Sequence, residues 1–376
     1  MAIDFPSSPV AGQVFNASPG RSFVYDGSYW GAAPMTTALP KNYVVNPAMQ
    51  ISQQYGNTVV VSGSAAVIVD QWYIFFTSTG VASVAQHLLT TPRGSLHRLR
   101  FVIVTPDATL DAPDYLSMQH RIEGVRCAEL KFGSAAAQQI ILRFGFRAPA
   151  GTYSIFVKNH STVRSYVANF TISAGQANTD TEQTFVIPGD TTGTWPIDSA
   201  NIGLQFGVAL AAGSNVQGVA GWQANSRNGT ASNSNGLATS AATYDLFDVG
   251  LYMDPYKTGV APAWELPDFA QELRRCQRYW YRQYTLRGGH GDTASMYRGG
   301  AQHAAPMRVP PAGSIVGTPK IYDAGVTPTA TSMSAQGNEY VCEFDVSCSA
   351  GGFTPGRVGI QYYQTEASYF AISARH

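Results

Sequence analysis

Short apolar runs, many alternating with polar residues, recur along most of the chain. Between residues 42 and 258 the segments YVVNPAMQIS, NTVVVSG, AAVIVDQWYIFFTS, HRLRFVIV, QQIILRFGFRA, GTYSIFVKN, RSYVANFTIS, EQTFVIPG, IGLQFGVALA and TYDLFDVGLYM are rich in Val, Ile, Tyr and Phe. SYVANFTI and TYSIFVKN alternate with a period of two, the pattern of a strand with one buried face. Turn-forming stretches separate the runs, such as APAGT at 148–152 and PGDTTGTW at 188–195. Ten such runs without intervening helices predict two antiparallel sheets packed face to face. The expected fold is all-β, an antiparallel jelly-roll sandwich over 42–266.

The flanks read differently. Residues 1–41 hold Pro6, Pro9 and Pro19, then FVYDGSYW at 23–30. There Asp26 and Gly27 mark a hairpin, because a tight turn needs positive φ and glycine accepts it. GAAPMTTALPK at 31–41 reads as a linker. A segment this small buries little core alone, so it is expected to pack on a neighbour. PDFAQELRRCQRYW places Pro267 at a helix start, acids early and arginines late, which suits the helix dipole. A short helix over 267–276 and an extended RYWYRQYTL follow, making 267–285 a connector. Residues 286–376 form a small C-terminal β-rich domain with strands in ASMYRGG, GTPKIYD, EYVCEFDV, GRVGIQYYQ and SYFAISAR. RGGHGD at 287–292 and QTEASYF at 364–370 are its tip-like loops. No repeat of 20–50 residues and no heptad pattern occurs.

Charge narrows the function classes. Charged residues make up 13% and the net charge is zero, so no basic field draws in nucleic acid. No run of about 18–20 apolar residues is present, so membrane insertion is not expected. The opening MAIDFPSSPVAGQVF lacks a basic n-region and an apolar h-region, and no secretory signal is expected. Cys127, Cys276, Cys342 and Cys348 are too few and scattered for a disulfide framework and read as reduced thiols.

Catalytic signatures are missing. His87, His97, His120, His160, His290, His303 and His376 fall in no metal-ligand spacing. There is no nucleophile elbow, phosphate-binding loop or dinucleotide fingerprint. Asp107, Asp111, Asp114 and Glu123 could pair as glycosidase carboxylates. The plainer reading of Glu123 is an ion pair with Arg121 or Arg126 on a sheet face. Asp107, Asp111 and Asp114, in TPDATLDAPDY, are also candidate ligands for a structural Ca²⁺. No other cofactor is expected, and the chain reads as non-enzymatic.

Binding chemistry is more visible. Sugars pack C–H faces on aromatic rings and hydrogen-bond through their hydroxyls. GSNVQGVAGWQANSRNGTASNSNGLATSAA at 213–242 has the matching composition and reads as a long exposed loop. It yields Trp222, Gln223, Asn225 and Asn228 as candidate receptor or glycan contacts, with Trp195 near a sandwich edge. The alternative is that Trp222 fills the core. Trp72 and Tyr73 lie in an apolar run and read as core. Tyr279, Trp280, Tyr281 and Tyr284 suit a domain or subunit interface, having large area and a polar tip.

The series FPSSPVAGQVFN…FVYDGSYWGAAP, KNYVVNPAMQISQQ, VIVDQWYIF, DYLSMQHRIEG, WPIDSANIGLQFGVALAAGS, FDVGLYMDPYKTGVAPAWELPDFAQELRRCQRYWYR and SYFAISARH resembles, in order and spacing, a family of bacteriophage tail-fibre and virion structural proteins. Gln71 stands where the family's segment typically has an arginine. The resemblance implies a carbohydrate-binding-like sandwich in a virion assembled in the host cytoplasm. Other virion proteins would engage the N-terminal module through Phe5, Tyr25 and Trp30. Host glycan or receptor would be bound by multivalent contacts of a homotrimer. Alternatives are a purely structural head-fibre, connector or decoration protein, and a polysaccharide-degrading enzyme.

Overall fold

Period-two alternation does in space what it announces in the chain: two sheets close on one apolar core. A computed structural model describes residues 3–10, 13–18, 21–25, 27–32, 40–62, 66–160, 163–283, 287–322, 327–349, 353–356, 361–363 and 368–375. One sheet has six strands in the order Thr181–Ile187, Ile140–Arg147, Thr243–Met253, His97–Thr105, Val81–Leu88 and Val60–Ser62. The other has seven, in the order Gly221–Ala224, Arg164–Ile172, Gly151–Lys158, Ile202–Ala212, Tyr115–Glu123, Trp72–Thr77 and Ala66–Val69. Every pairing within both sheets is antiparallel. The chain is therefore all-β and sandwich-like, as its strand pattern predicts.

Leu116, Met118 and Ile122 of one strand meet Leu99, Phe101 and Ile103 of the other sheet in a single core that also holds Trp72, Phe144 and Phe206. Full burial of such a side chain contributes roughly 1.5–3 kcal/mol. The intervening residues Ser117, Gln119, Arg121 and Glu123 point out of that core.

The first expected strand of the sandwich, YVVNPAMQIS, is not one. Asn46 and Met49 take left-handed conformations with φ of 57° and 56°, and the segment is a turn whose Tyr43, Val44, Val45 and Ile51 are buried. Pro47 has no N–H to give to a ladder. The helix runs Phe269–Gln277 and is capped by Asp268, whose side chain accepts the Gln271 N–H at 2.9 Å. Pro267 precedes that cap rather than opening the helix.

Near the N-terminus, Val14–Ser18, Arg21–Tyr25 and Trp30–Ala32 form a three-stranded sheet. Phe5 stacks on Trp30 at 5.1 Å, and Phe15 and Tyr25 also meet Trp30. Gly27 has φ 108° in the turn between the last two strands; Asp26 lies outside the described residues. In the C-terminal part, Arg287–Thr293, Met296–Gln302, Val341–Cys348 and Ala330–Gly337 share one sheet, while Trp280–Gln283, Tyr369–Ser373 and Ala312–Val316 share another. A second core gathers Tyr281, Tyr297, Phe344, Phe370 and Ile372. RGGHGD is thus part of a paired strand, and most of QTEASYF lies outside the described residues. All four cysteines are free and buried. Among the described residues no helix is long and apolar enough to cross a membrane.

Candidate functional site

The motif-bearing polar residues converge, but on a junction rather than a cleft. The Asn46 N–H donates to Glu272 at 2.6 Å, and its side-chain amide donates to the Ile51 and Asp70 carbonyls at 2.8 and 2.9 Å. Trp72 Nε1 donates to the Asn46 carbonyl at 3.0 Å. Asp70 accepts from the Gln53 backbone and side chain. Glu123, wholly buried, takes both arms of Arg278 at 2.9 and 2.8 Å. This corrects the expected Arg121 or Arg126 partner: Arg121 stands two residues along the same strand face and turns toward aromatic rings instead. The network ties the turn at 46–53, the sandwich and the helix together, so these residues act on architecture.

Tyr279, Trp280 and Tyr281 extend that junction. Tyr279 packs with Val45, Ile51 and Cys276; Trp280 packs with Tyr369 and Ala371; Tyr281 enters the C-terminal core. Tyr279 lies in the turn after the helix, and alternation along Trp280–Gln283 sends Trp280 and Tyr281 to opposite neighbours within this chain. Tyr284 lies outside the described residues.

The outer face of the seven-stranded sheet has a different chemistry. Antiparallel register sets Arg121, Gln205 and Lys158 side by side on three adjacent strands. Strands lie about 4.8 Å apart, so the row spans about 10 Å of backbone. A second row holds Tyr73, Gln119, Gly207 and Phe156, and a third begins with Phe75 and Ser117. The Arg121 guanidinium lies over the Tyr73 ring at 4.4 Å and the Phe75 ring at 4.8 Å, a cation–π arrangement that fixes its plane. Phe75, Tyr115 and Arg121 are half-buried, with Tyr73, Gln119 and Gln205 beneath. Gln205 donates to Gln119, which donates to Ser117 at 2.6 Å. Trp72 is core as expected, whereas Tyr73 belongs to this outer face.

Lys158 ends the row. Its ammonium donates to Asn228 at 2.8 Å and Ser226 at 3.2 Å, and sits 4.9 Å from the Phe156 ring centre. Burial, with Arg121 adding to it, pushes the lysine down to about 8. The segment carrying Asn228 was expected to be a free loop. It instead folds down on the sheet: Gln217–Gly218 pairs in parallel with Gly229–Thr230, and Thr230 accepts from Asn169 at 2.8 Å. Phe156, Val167 and Ala209 form a small apolar cluster on this face. The signal that could have exposed this site is the alternation of Tyr73, Phe75 and Thr77 opposite Trp72, Ile74 and Phe76.

The other residues singled out from the sequence fall nearby. Trp222 and Trp195 meet at 5.8 Å, and both pack on Phe132, closing one edge of the sandwich. Trp222 stays half-buried and donates Nε1 to the Pro188 carbonyl at 2.7 Å. Gln223 holds the Val219 backbone, and Asn225 is exposed with φ 71°. Asp107 is engaged by Ser78 and Thr79, and Asp114 accepts the Asp111 N–H at 2.8 Å, so the carboxylates of these two calcium candidates serve as turn acceptors. Among the described residues no three His, Cys, Asp or Glu side chains cluster in a way that could hold a metal ion.

No family model and no curated protein matches the sequence. Similar solved structures include a GH51 α-L-arabinofuranosidase, at 11% identity and a TM-score of 0.35 over 69% of this chain and 33% of that one. Another is a putative sugar binding protein from Bacteroides thetaiotaomicron, at 13% identity and a TM-score of 0.32 over 57% of this chain and 100% of that one. A third is the enzymatically active domain of a bacteriophage CBA120 tailspike, at 8% identity and a TM-score of 0.30 over 57% of this chain and 21% of that one. The chain thus spans a third of the arabinofuranosidase chain. Two of these three are enzymes by name, and that corrects the expectation of a non-enzymatic chain: the exclusion does not stand. Likenesses this distant carry no activity, substrate or partner over to this protein.

Proposed function

We propose that this protein is a carbohydrate-binding β-sandwich whose glycan lies against the outer face of the seven-stranded sheet. The observation that carries the reading is the row Arg121, Gln205 and Lys158, with the Arg121 guanidinium over the rings of Tyr73 and Phe75. Half-buried aromatic edges offer surface for sugar C–H groups, while the planar guanidinium and amides match hydroxyl oxygens. Of the residues chosen from sequence, Asn228 joins this face through Lys158, Gln223 and Asn225 flank it on the edge segment, and Trp222 with Trp195 builds the edge beneath.

The finer reading rests on the motif resemblance. It makes the sandwich a jelly roll and the chain a phage virion protein. The three-stranded sheet around Phe5, Tyr25 and Trp30 would attach it to other virion proteins, and the C-terminal part would lie at the tip of a homotrimer. Several weak sites on one particle would supply avidity.

A glycan array with the full chain tests the binding reading, comparing wild type with Phe75→Ala and Arg121→Gln. Either substitution is expected to weaken the bound glycan about tenfold while the melting temperature changes little. Undiminished binding by both folded variants would refute the site. Assaying the array hits for newly formed reducing ends reports in parallel on hydrolysis.

A further inference from the structure

The polar stretch singled out around Trp222 has a second half, and that half lines a cavity. At one end of the sandwich about 600 Å³ of space lies where Ile140–Arg147 ends and where Gly151–Lys158 and Thr243–Met253 begin. Residues 234–236 and 239–242 line it, together with Arg100, Arg147, Pro149, Ala150 and Asn178. Two arginines and no acidic residue face the space. Its walls are pinned from behind. The Ser234 N–H donates to the Thr152 carbonyl at 2.7 Å, and the Thr152 N–H donates to the Ser234 hydroxyl at 2.9 Å. The Tyr244 hydroxyl donates to the Gly236 carbonyl and the Tyr153 hydroxyl to the Pro149 carbonyl, both at 2.9 Å. The cavity is therefore preformed and of a size that takes a small ligand.

Arg147 gives this space its charge. Alternation puts Phe146 in the core and Arg147 on the outer face of the six-stranded sheet. Register sets Arg100, Asp245 and Arg147 in one row across three adjacent strands. Asp245 is wholly buried and gives both oxygens to Arg100 at 2.7 Å each, with Arg98 a further 3.5 Å away. Its single charge is already shared by two guanidinium groups. The neighbouring arginines are engaged too: Arg93 pairs with Glu182, Arg98 with Asp180, and Arg143 donates to the Pro262 carbonyl. Among the described residues Arg147 makes no hydrogen bond and no ion pair. It is half-buried, yet its guanidinium nitrogens are not sealed from the surface. Five donors that have lost part of their hydration and found no acceptor in the chain favour an incoming anion.

We propose that this cavity is a subsite for an acidic sugar residue, whose carboxylate takes the fork of Arg147. The planar guanidinium matches a carboxylate through two parallel hydrogen bonds. Around it the Asn178 amide and the Thr239 and Ser240 hydroxyls suit the hydroxyls of the ring, and Pro149 and Ala150 offer surface for its C–H groups. Arg100, neutralised by Asp245, adds no second full charge, so the site matches one carboxylate. It is a different site from the Arg121 row and does not rest on it.

The test titrates the methyl glycosides of glucuronic acid and N-acetylneuraminic acid into the isotope-labelled full chain, reading amide shifts by NMR. Methyl β-glucopyranoside, acetate and inorganic phosphate are the comparison probes. At least one acidic glycoside is expected to shift amides at 147–148, 150, 178 and 234–243. It should bind about tenfold or more tightly than the neutral glycoside or acetate, the sugar and the charge each contributing. Arg147→Gln should weaken that binding about tenfold or more, and Arg147→Lys, which keeps the charge and loses the fork, by less. Because Arg147 has no partner in the chain, Arg147→Gln should melt within about 2 °C of wild type. Arg147→Gln that melts well below that range, or fails to fold, would reveal a structural role and overturn the proposal. Undiminished binding by Arg147→Gln does the same, as do equal binding of the neutral glycoside, acetate or phosphate binding as tight as the acidic glycosides, or no shifts at these amides. Shifts confined to residues 73–75, 119–121 and 205 would uphold the Arg121 site and sink this one.

Discussion

Replacing Glu123 by glutamine tests whether the junction is held by one buried ion pair. The carboxylate is 0% exposed and receives two Arg278 donors at 2.9 and 2.8 Å across 155 residues of sequence. Removing one member of a buried pair costs roughly 3–5 kcal/mol. Arg278 is 28% exposed and regains some hydration, and glutamine keeps one acceptor, so about 2–3 kcal/mol is expected. The pH dependence has a definite sign. Burial alone would raise the carboxyl, but hydrogen bonds from Arg278 and Tyr279 and the charges of Arg278 and Arg126 outweigh it and hold Glu123 below its ordinary value. A lowered folded pKa stabilises fully above the unfolded value of about 4.3 and loses that contribution as pH falls through the folded value. Urea unfolding followed by tryptophan emission should show the deficit at pH 7 and a narrowing gap below about pH 4. Pairing the variant with Arg278→Met closes a double-mutant cycle, with an expected coupling of about 1–3 kcal/mol. Additive effects, or a gap that does not change with pH, would refute this account.

Lys158→Met should be about 1 kcal/mol more stable than wild type at pH 7, since it removes a desolvated charge but strands the Asn228 acceptor. The lysine's folded value of about 8 lies below its unfolded one, so its penalty is full below that pH and fades as pH rises. Melting temperatures from pH 7 to 10 should therefore converge, and a constant difference would count against it. Trp222→Ala should cost about 3 kcal/mol by opening a cavity against Phe132, Tyr166 and Trp195, read by calorimetry. Loss of glycan binding without loss of stability would instead move the site to that edge.

Much of the fold is legible without coordinates. Strands such as Gly151–Lys158 and Arg164–Ile172 follow from alternation, because a pleated strand sends successive side chains to opposite faces. The helix at Phe269–Gln277 is announced by its acids-then-arginines polarity, with Asp268 as its cap. Local rules fail where a residue's partner is distant. YVVNPAMQIS has strand composition, but Glu272 and Asp70 hold Asn46 in a turn.

The candidate site belongs wholly to that second category. Tyr73, Arg121, Gln205 and Lys158 sit on four strands scattered between positions 73 and 205 and give no common signal along the chain. Composition alone favoured the Asn- and Gln-rich stretch around Trp222, which the tertiary structure folds onto a sheet and its edge. Alternation can tell that a side chain leaves the core. Only strand order tells which neighbours it meets there, because register is set by the packing of entire sheets.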